Sequence, residues 1–195
     1  VTVITQAQEI DLLLKNGHIL DPKNKIDARM DVGILDGKIY RVAPSIADKA
    51  RKVIDASGLI ICPGLIDIHT HVFVGPRPDK FADGILSLSP DDFTFKAGVT
   101  TVVDAGTSGW RNFPVFKDQV IDRSKTRILA FLNIAGTGLS GKPTQEDLTD
   151  MDPVKADETI KKYPGILVGV KIGHYEGSEW TPFDQALEAC NRANV

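Results

Sequence analysis

An α/β fold is predicted for most of this chain, on three observations. From residue 63 onward four apolar runs, GLIDIHTH, VTTVVDAG, RILAFLNIAG and GILVGVKIG, alternate with polar stretches that suit helices. Strands in that rhythm pair in parallel through crossover connections, because a tight turn cannot deliver a parallel neighbour. Before them, residues 11 to 62 read as short apolar runs broken by turn residues, a small antiparallel β region. The chain of 195 residues, 42% hydrophobic and 25% charged, is long enough for one or two such domains. The expected division is 1–8, a frayed terminus or signal-peptide remnant; 9–62, the β region; and 63–195, the α/β part.

In the β region the runs are DLLLKNGHILD, MDVGILDGKIYRVA and KVIDASGLIICPG. Asn16-Gly17 and Asp36-Gly37 accept positive φ and are expected to close hairpins. In the α/β part, Ser89-Pro90-Asp91-Asp92 reads as a helix start in SPDDFTFKAG. Further helices are expected around FPVFKDQVIDRSK, PVKADETIKKY and TPFDQALEACNRANV. The Gly-rich AGTGLSG, residues 135 to 141, does not match a phosphate-binding loop and reads as a loop at a strand end. Doubly wound sheets and (β/α)₈ barrels both fit this order. A complete barrel takes eight units and about 250 residues; four are present, and Asn194-Val195 stands in a helical stretch with neither Gly nor Pro to stop it. The expectation is half of a barrel.

The net charge of −3 and a pI near 5.8 offer no basic patch for phosphates, so nucleic acid is set aside as a partner. No run approaches the ~20 apolar residues that span a bilayer. The opening VTVITQAQ is apolar and carries small residues near Thr5-Gln6-Ala7, as at a secretory cleavage site, which leaves a cytoplasmic or a periplasmic location open. Cys62 and Cys190 lie far apart and form no CxxC pair; they are expected to be buried free thiols.

The chemistry begins where polar residues interrupt apolar runs. In CPGLIDIHTHVFVG, residues 62 to 75, side chains two apart share a strand face, so Leu65, Asp67, His69 and His71 point one way while Ile66, Ile68 and Thr70 point the other. An unpaired polar group costs roughly 2–7 kcal/mol to bury, and two imidazoles at the end of one strand can reach a single metal ion. In ILVGVKI the β-branched Ile166, Val168, Val170 and Ile172 share the face suited to helices, and Leu167, Gly169 and Lys171 share the other. That aims Lys171 into the same mouth, at the C-terminal strand ends where such folds carry their sites. Near divalent cations an ammonium is repelled, and the neutral amine can capture carbon dioxide as a carbamate able to bridge two metals about 3.5–4 Å apart. A plain lysine with its stem along the strand end is the bland alternative.

PGLIDIHTH, followed by GVTTVVDAG and by VGVK on the fourth strand, resembles the amidohydrolase superfamily of metal-dependent hydrolases, in particular dihydroorotase-like and deacetylase-type proteins. DLLLKNGHILDP and DVGILDGKI resemble the first strands of that family's small β-sandwich domain. The resemblance implies a TIM-like (β/α)₈ metallohydrolase barrel, of which the first four units are present. It implies that His69 and His71 bind metal, that Lys171 bridges two zinc ions as N6-carboxylysine, and that the remaining ligands and a general-base aspartate lie on strands beyond Val195. Asp67 is expected to orient a ligand, or to make a structural contact. His174 reads as a loop histidine, and His18 is given no role.

The implied activity is hydrolysis of an amide C–N bond by a metal-bound hydroxide, with ester hydrolysis possible on the same parts. Dihydroorotases follow the HxH pair with Leu-Arg, the Arg gripping a carboxylate; here Val72-Phe73 stand in those positions and Arg77 comes later. That favours deacylation of N-acyl or O-acyl small molecules, with a dihydroorotase-like cyclic amidohydrolase as the alternative and an inactive scaffold of the same fold as the rival from another class. The expected partners are an acylated small molecule, the remaining half of the same protein and further copies of the chain.

Overall fold

A computed structural model describes residues 9–195; the expected leader remnant at 1–8 lies outside the described residues. The chain divides after Pro63 into two compact units, Val1–Pro63 and Gly64–Val195.

The first unit is a sheet of β1 (Ile10–Asp21), β2 (Ile26–Leu35), β3 (Lys38–Ala43), β4 (Ala50–Asp55) and β5 (Ile60–Ile61). Its order is β3-β2-β1-β4, with β5 also paired to β1. The sheet is mixed rather than antiparallel: β1 pairs antiparallel with β2, and β2 with β3, but β4 and β5 run parallel to β1. The reason lies in Pro44–Lys49, which crosses from one side of the sheet to the other and buries Ile46 against Ile10 and Leu13. The buried carboxylate of Asp31 fastens that crossing, accepting the N–H groups of Ile46 at 3.0 Å and of Asn16 at 2.9 Å.

Asp36-Gly37 closes the β2–β3 hairpin with φ of 51° and 69°, as a two-residue turn requires. Asn16-Gly17 closes none. It forms a bulge inside β1, where the register with β2 slips between Leu14 and Gly17. Gly17 is needed there because a Cβ would stand 2.3 Å from Cδ1 of Ile61. With Ile61 turned onto Gly17, the next residue faces away, and Cys62 is exposed rather than buried; Cys190 is partly buried, and both are free.

The second unit contains β6 (Leu65–Thr70), β7 (Val74–Arg77), β8 (Val99–Gly109), α1 (Phe113–Gln119), β9 (Arg127–Asn133), α2 (Lys142–Gln145), α3 (Pro153–Lys162), β10 (Leu167–Lys171) and α4 (Thr181–Ala193). Four strands form a parallel sheet in the order β10-β9-β8-β6. Each lies beside its predecessor, without the reversal of strand order that marks a doubly wound sheet. Val102, Ile128, Ala130 and Leu132 from the sheet pack with Phe113, Phe116, Ala156, Ile160 and Ala189 from the helices. Asp152 caps α3, accepting N–H bonds from Val154 and Lys155.

Three local expectations are corrected. SPDDFTFKAG forms only two 3₁₀ turns, Pro90–Asp92 and Phe95–Ala97. Asp91, in place of starting a helix, accepts three hydrogen bonds of 2.7–2.8 Å from Lys125 and Thr126 just ahead of β9. In β10 the register skips between Leu167 and Gly169, which puts Leu167 into the helix-side core at 3% exposure and turns Val168 out at 39%. Gly169 then lies against the Phe131 ring, 2.9 Å from where a Cβ would sit. Finally, α4 ends at Asn194, whose left-handed backbone returns its N–H to the Cys190 carbonyl; Asn, like Gly, tolerates that conformation. Among the described residues no helix is long and apolar enough to cross a membrane.

Candidate metal centre

His69 and His71 stand at the C-terminal end of β6 because the residues between and after them are anchored elsewhere. Thr70 is buried, its hydroxyl donating to the Val103 carbonyl at 3.2 Å, and Val72 and Phe73 have no exposure at all. The two imidazoles are left beside each other, edge to face, with ring centroids 5.6 Å apart and planes at 78°. His69 is exposed and His71 half-buried under the ring of Phe81, whose centroid is 4.8 Å away.

Nδ1 of His71 is hydrogen-bonded to the Thr107 hydroxyl at 2.8 Å. That engagement leaves Nε2 as the nitrogen available to a ligand. Burial first, and then the positive charges of His69, Lys171 and His174, hold His71 down at a pKa of about 4. Near neutral pH its imidazole is uncharged, the form that binds metals. His174, the loop histidine, is exposed and left-handed, with φ of 56°, yet its charge is felt at His71. His18 lies in the other unit, paired with Asp27 at 2.6 Å.

Lys171 ends β10 in register with Asn133 of β9. Its approach to β8 depends on Gly106, where φ is +77° and a Cβ would stand 2.4 Å from both Cβ and Cγ of Lys171. Asn133 braces this passage. Its amide donates to the Gly106 carbonyl at 3.0 Å and its oxygen accepts the Ala135 N–H at 3.0 Å. Asp67 accepts the backbone N–H of His69 at 3.1 Å, so the contact it makes is with the chain and not with an imidazole.

The fold therefore brings His69, His71, Lys171 and His174 into one electrostatic neighbourhood. Two imidazoles, one of them held neutral with a free Nε2, fit a nitrogen-loving divalent ion such as zinc. They fill only part of its coordination: among the described residues there is no group of three or more His, Cys, Asp or Glu side chains that could hold a metal.

Thr107, Gly106 and Asp104 complete the picture, and the sequence argument gave none of them a role. A signal existed for Asp104, an acid inside the apolar run VTTVVDAG, as conspicuous as the histidines in LIDIHTH. It is wholly buried, accepting the N–H of Val72 at 2.9 Å and that of Thr107 at 2.7 Å. Desolvation outweighs those bonds and pushes its pKa up to about 6. A group raised in this way adds stability that is complete below its unfolded value of 3.8 and is lost as pH rises through about 6. His71, lowered, acts in the opposite sense: its contribution is present above 6.5 and lost as pH falls through about 4. In the metal-free full-length protein, the stability of wild type relative to Asp104→Asn should therefore fall by about 2 kcal/mol as pH rises from 4 to 7. Urea unfolding at a series of pH values reads this, and a difference independent of pH would refute it.

Val72-Phe73 carry no cation, and Arg77 is turned to Asp83, with Nε 3.4 Å from the carboxylate. No known family model matches the chain. Over 143 residues it is 36% identical to a deacetylase of Agrobacterium fabrum, covering 70% of this chain and 33% of that protein. Its backbone is similar to the crystal structure of an adenine deaminase, with TM-score 0.78 and 28% identity over 95% of this chain and 48% of that one. It is equally similar to that of a dihydroorotase, with TM-score 0.77 and 29% identity over 94% of this chain and 49% of that one. The chain thus spans about a third of the curated relative's length and about half that of the two solved structures. From the HxH strand, the parallel order of the sheet and these likenesses together, the chain belongs to the amidohydrolase superfamily.

Proposed function

We propose that this chain is part of a metal-dependent hydrolase of amide C–N bonds, acting on an N-acylated or O-acylated small molecule. The observation that carries the reading is the imidazole pair at the end of β6, with His71 tied through Nδ1 to Thr107 and set edge to face with His69. His69 and His71 would hold a divalent metal, most simply zinc, and Lys171, as a carbamate, would supply the anion shared with a second. Bound there, the metal would polarise the scissile carbonyl and lower the pKa of water. The residues of this chain do the rest by orientation: Thr107 holds the His71 ring, Gly106 admits Lys171 alongside β8, and Phe81 shields one face of His71 from water.

The other ligands and the proton-carrying carboxylate would come from the remaining part of the protein, which would also close the sheet into a barrel. Leu65, Ile66 and Ile68 on the edge strand β6 are 54%, 62% and 72% exposed, as apolar residues awaiting a neighbouring strand would be.

Deacylation is preferred over a dihydroorotase-like reaction because Val72 and Phe73 are wholly buried in the core and present no guanidinium to a substrate carboxylate. Elemental analysis of the full-length protein should find close to two divalent metals per subunit, and kcat/KM should be higher for N-acyl amino acids than for dihydroorotate by at least 10-fold, about 1.4 kcal/mol. Less than half an equivalent of metal after metal-replete expression would leave an inactive scaffold of the same fold. Full metal with comparable kcat/KM on dihydroorotate would overturn the substrate class alone.

A further inference from the structure

Asp104 poses a physical question that packing does not answer. Its register partner on β9 is Ala130, its neighbours on β8 are Val103 and Ala105, and none of these three is more than 7% exposed. An apolar residue would fill such a place without the cost of desolvating a carboxylate. What the carboxylate does there is connect two particular points. One oxygen accepts the N–H of Val72, the residue that follows His71; the other accepts the N–H of Thr107, whose hydroxyl engages His71 Nδ1. One side chain thus fixes both the backbone from which the imidazole extends and the group that grips its far side.

We propose that Asp104 is a positioning residue that, through Val72 and Thr107, fixes the orientation and tautomer of His71, keeping the proton on Nδ1 and the lone pair of Nε2 directed at the metal. The inference rests on the reading of His71 as a ligand given above. Partners behind a metal-binding histidine set its ring orientation and basicity, and their loss costs about 10–100-fold in metal affinity. With the proton on Nδ1 the Thr107 hydroxyl is its acceptor, at 2.8 Å, and the Asp104 carboxylate holds the Thr107 backbone that carries this hydroxyl, at 2.7 Å.

The test uses the full-length protein and three variants, Asp104→Asn, Thr107→Val and Thr107→Ser. Zinc affinity is measured by competition with a chromophoric chelator, ligand geometry by the visible bands of the cobalt-substituted protein, and the His71 tautomer by imidazole ¹⁵N shifts of the metal-free protein. Asp104→Asn and Thr107→Val should each weaken zinc by about 10–100-fold, shift the cobalt bands and mix the tautomers. Thr107→Ser, which keeps the hydroxyl, should stay near wild type. Variants that melt at lower temperature yet bind zinc at wild-type affinity, with unchanged cobalt bands, would make Asp104 a structural brace and overturn the inference while leaving the metal site standing. Should Asp104→Asn fail to fold, Thr107→Val decides by itself, and wild-type zinc affinity in that variant overturns the proposal. Wild-type protein that takes up no metal would end both this inference and the functional reading beneath it.

Discussion

Lys171→Ala in the full-length protein is expected to lower turnover by roughly 10³-fold or more, about 4 kcal/mol of transition-state stabilisation, and to reduce bound metal from about two equivalents to about one. The argument is one of supply. Two carboxylates tied to the histidine segment are already engaged: both oxygens of Asp104 accept backbone N–H groups, and Asp67 accepts that of His69. Among the described residues no third acidic or histidine ligand joins His69 and His71, so nothing in this part of the protein replaces the anion that a carbamate on Lys171 would provide. Short carboxylic acids such as formate or acetate, diffusing into the space left by the side chain, should restore part of the activity. Steady-state kinetics and metal analysis of the variant, with and without added acid, check this. An Ala variant that keeps most of its turnover and both metals would show that Lys171 is a structural lysine.

Gly106→Ala should destabilise the protein by roughly 2–6 kcal/mol, more than a surface glycine could. Two costs add. The backbone at Gly106 has φ of +77°, which an L side chain adopts only under strain. The new Cβ would also lie 2.4 Å from Cβ and Cγ of Lys171, atoms at the root of that side chain that cannot swing away as its tip can. β8 and β10 would be wedged apart on either side of β9, and Asn133 would lose its hold on the Gly106 carbonyl. The double variant Gly106→Ala, Lys171→Gly isolates the steric part, because removing the opposing carbons should recover much of the loss and make the pair strongly non-additive. Strict additivity in denaturant unfolding would locate the whole cost in the backbone conformation of residue 106.

The parts of this fold that were legible in the sequence are those set by local pattern. The HxH spacing brought the two imidazoles side by side, although the strict alternation read for that strand fails where the register of β6 slips between Asp67 and Thr70, and the apolar runs marked β6, β8, β9 and β10 with three of the helices. Asp36-Gly37 announced its hairpin because the turn needs positive φ at two successive positions and those residues supply it. Asn16-Gly17 has the same local chemistry and a different fate. What separates the two pairs is Ile61, forty-four residues away, which fills the space beside Gly17. Ser89-Pro90-Asp91-Asp92 likewise had a helix-start pattern, but Asp91 found better partners at Lys125 and Thr126. In β10 the alternation was read one residue past the point where it breaks, because a bulge leaves no mark in a run of Ile, Leu and Val.

By itself the sequence determined the α/β rhythm, the HxH pair, the lysine at the end of the fourth strand and the family they indicate, since each is a matter of residue type at short spacing. The tertiary structure decided which groups serve those residues. Thr107 meets His71 across thirty-six positions, Asp104 reaches Val72 across thirty-two, and Gly106 makes room for Lys171. Such pairings arise only when parallel strands settle into register, and register is fixed by the packing of Val102, Ile128, Ala130 and Leu132 beneath the helices. No local propensity encodes that sum of long-range contacts, so the candidate ligands could be read along the chain, while the side chains that contact them had to be found across it.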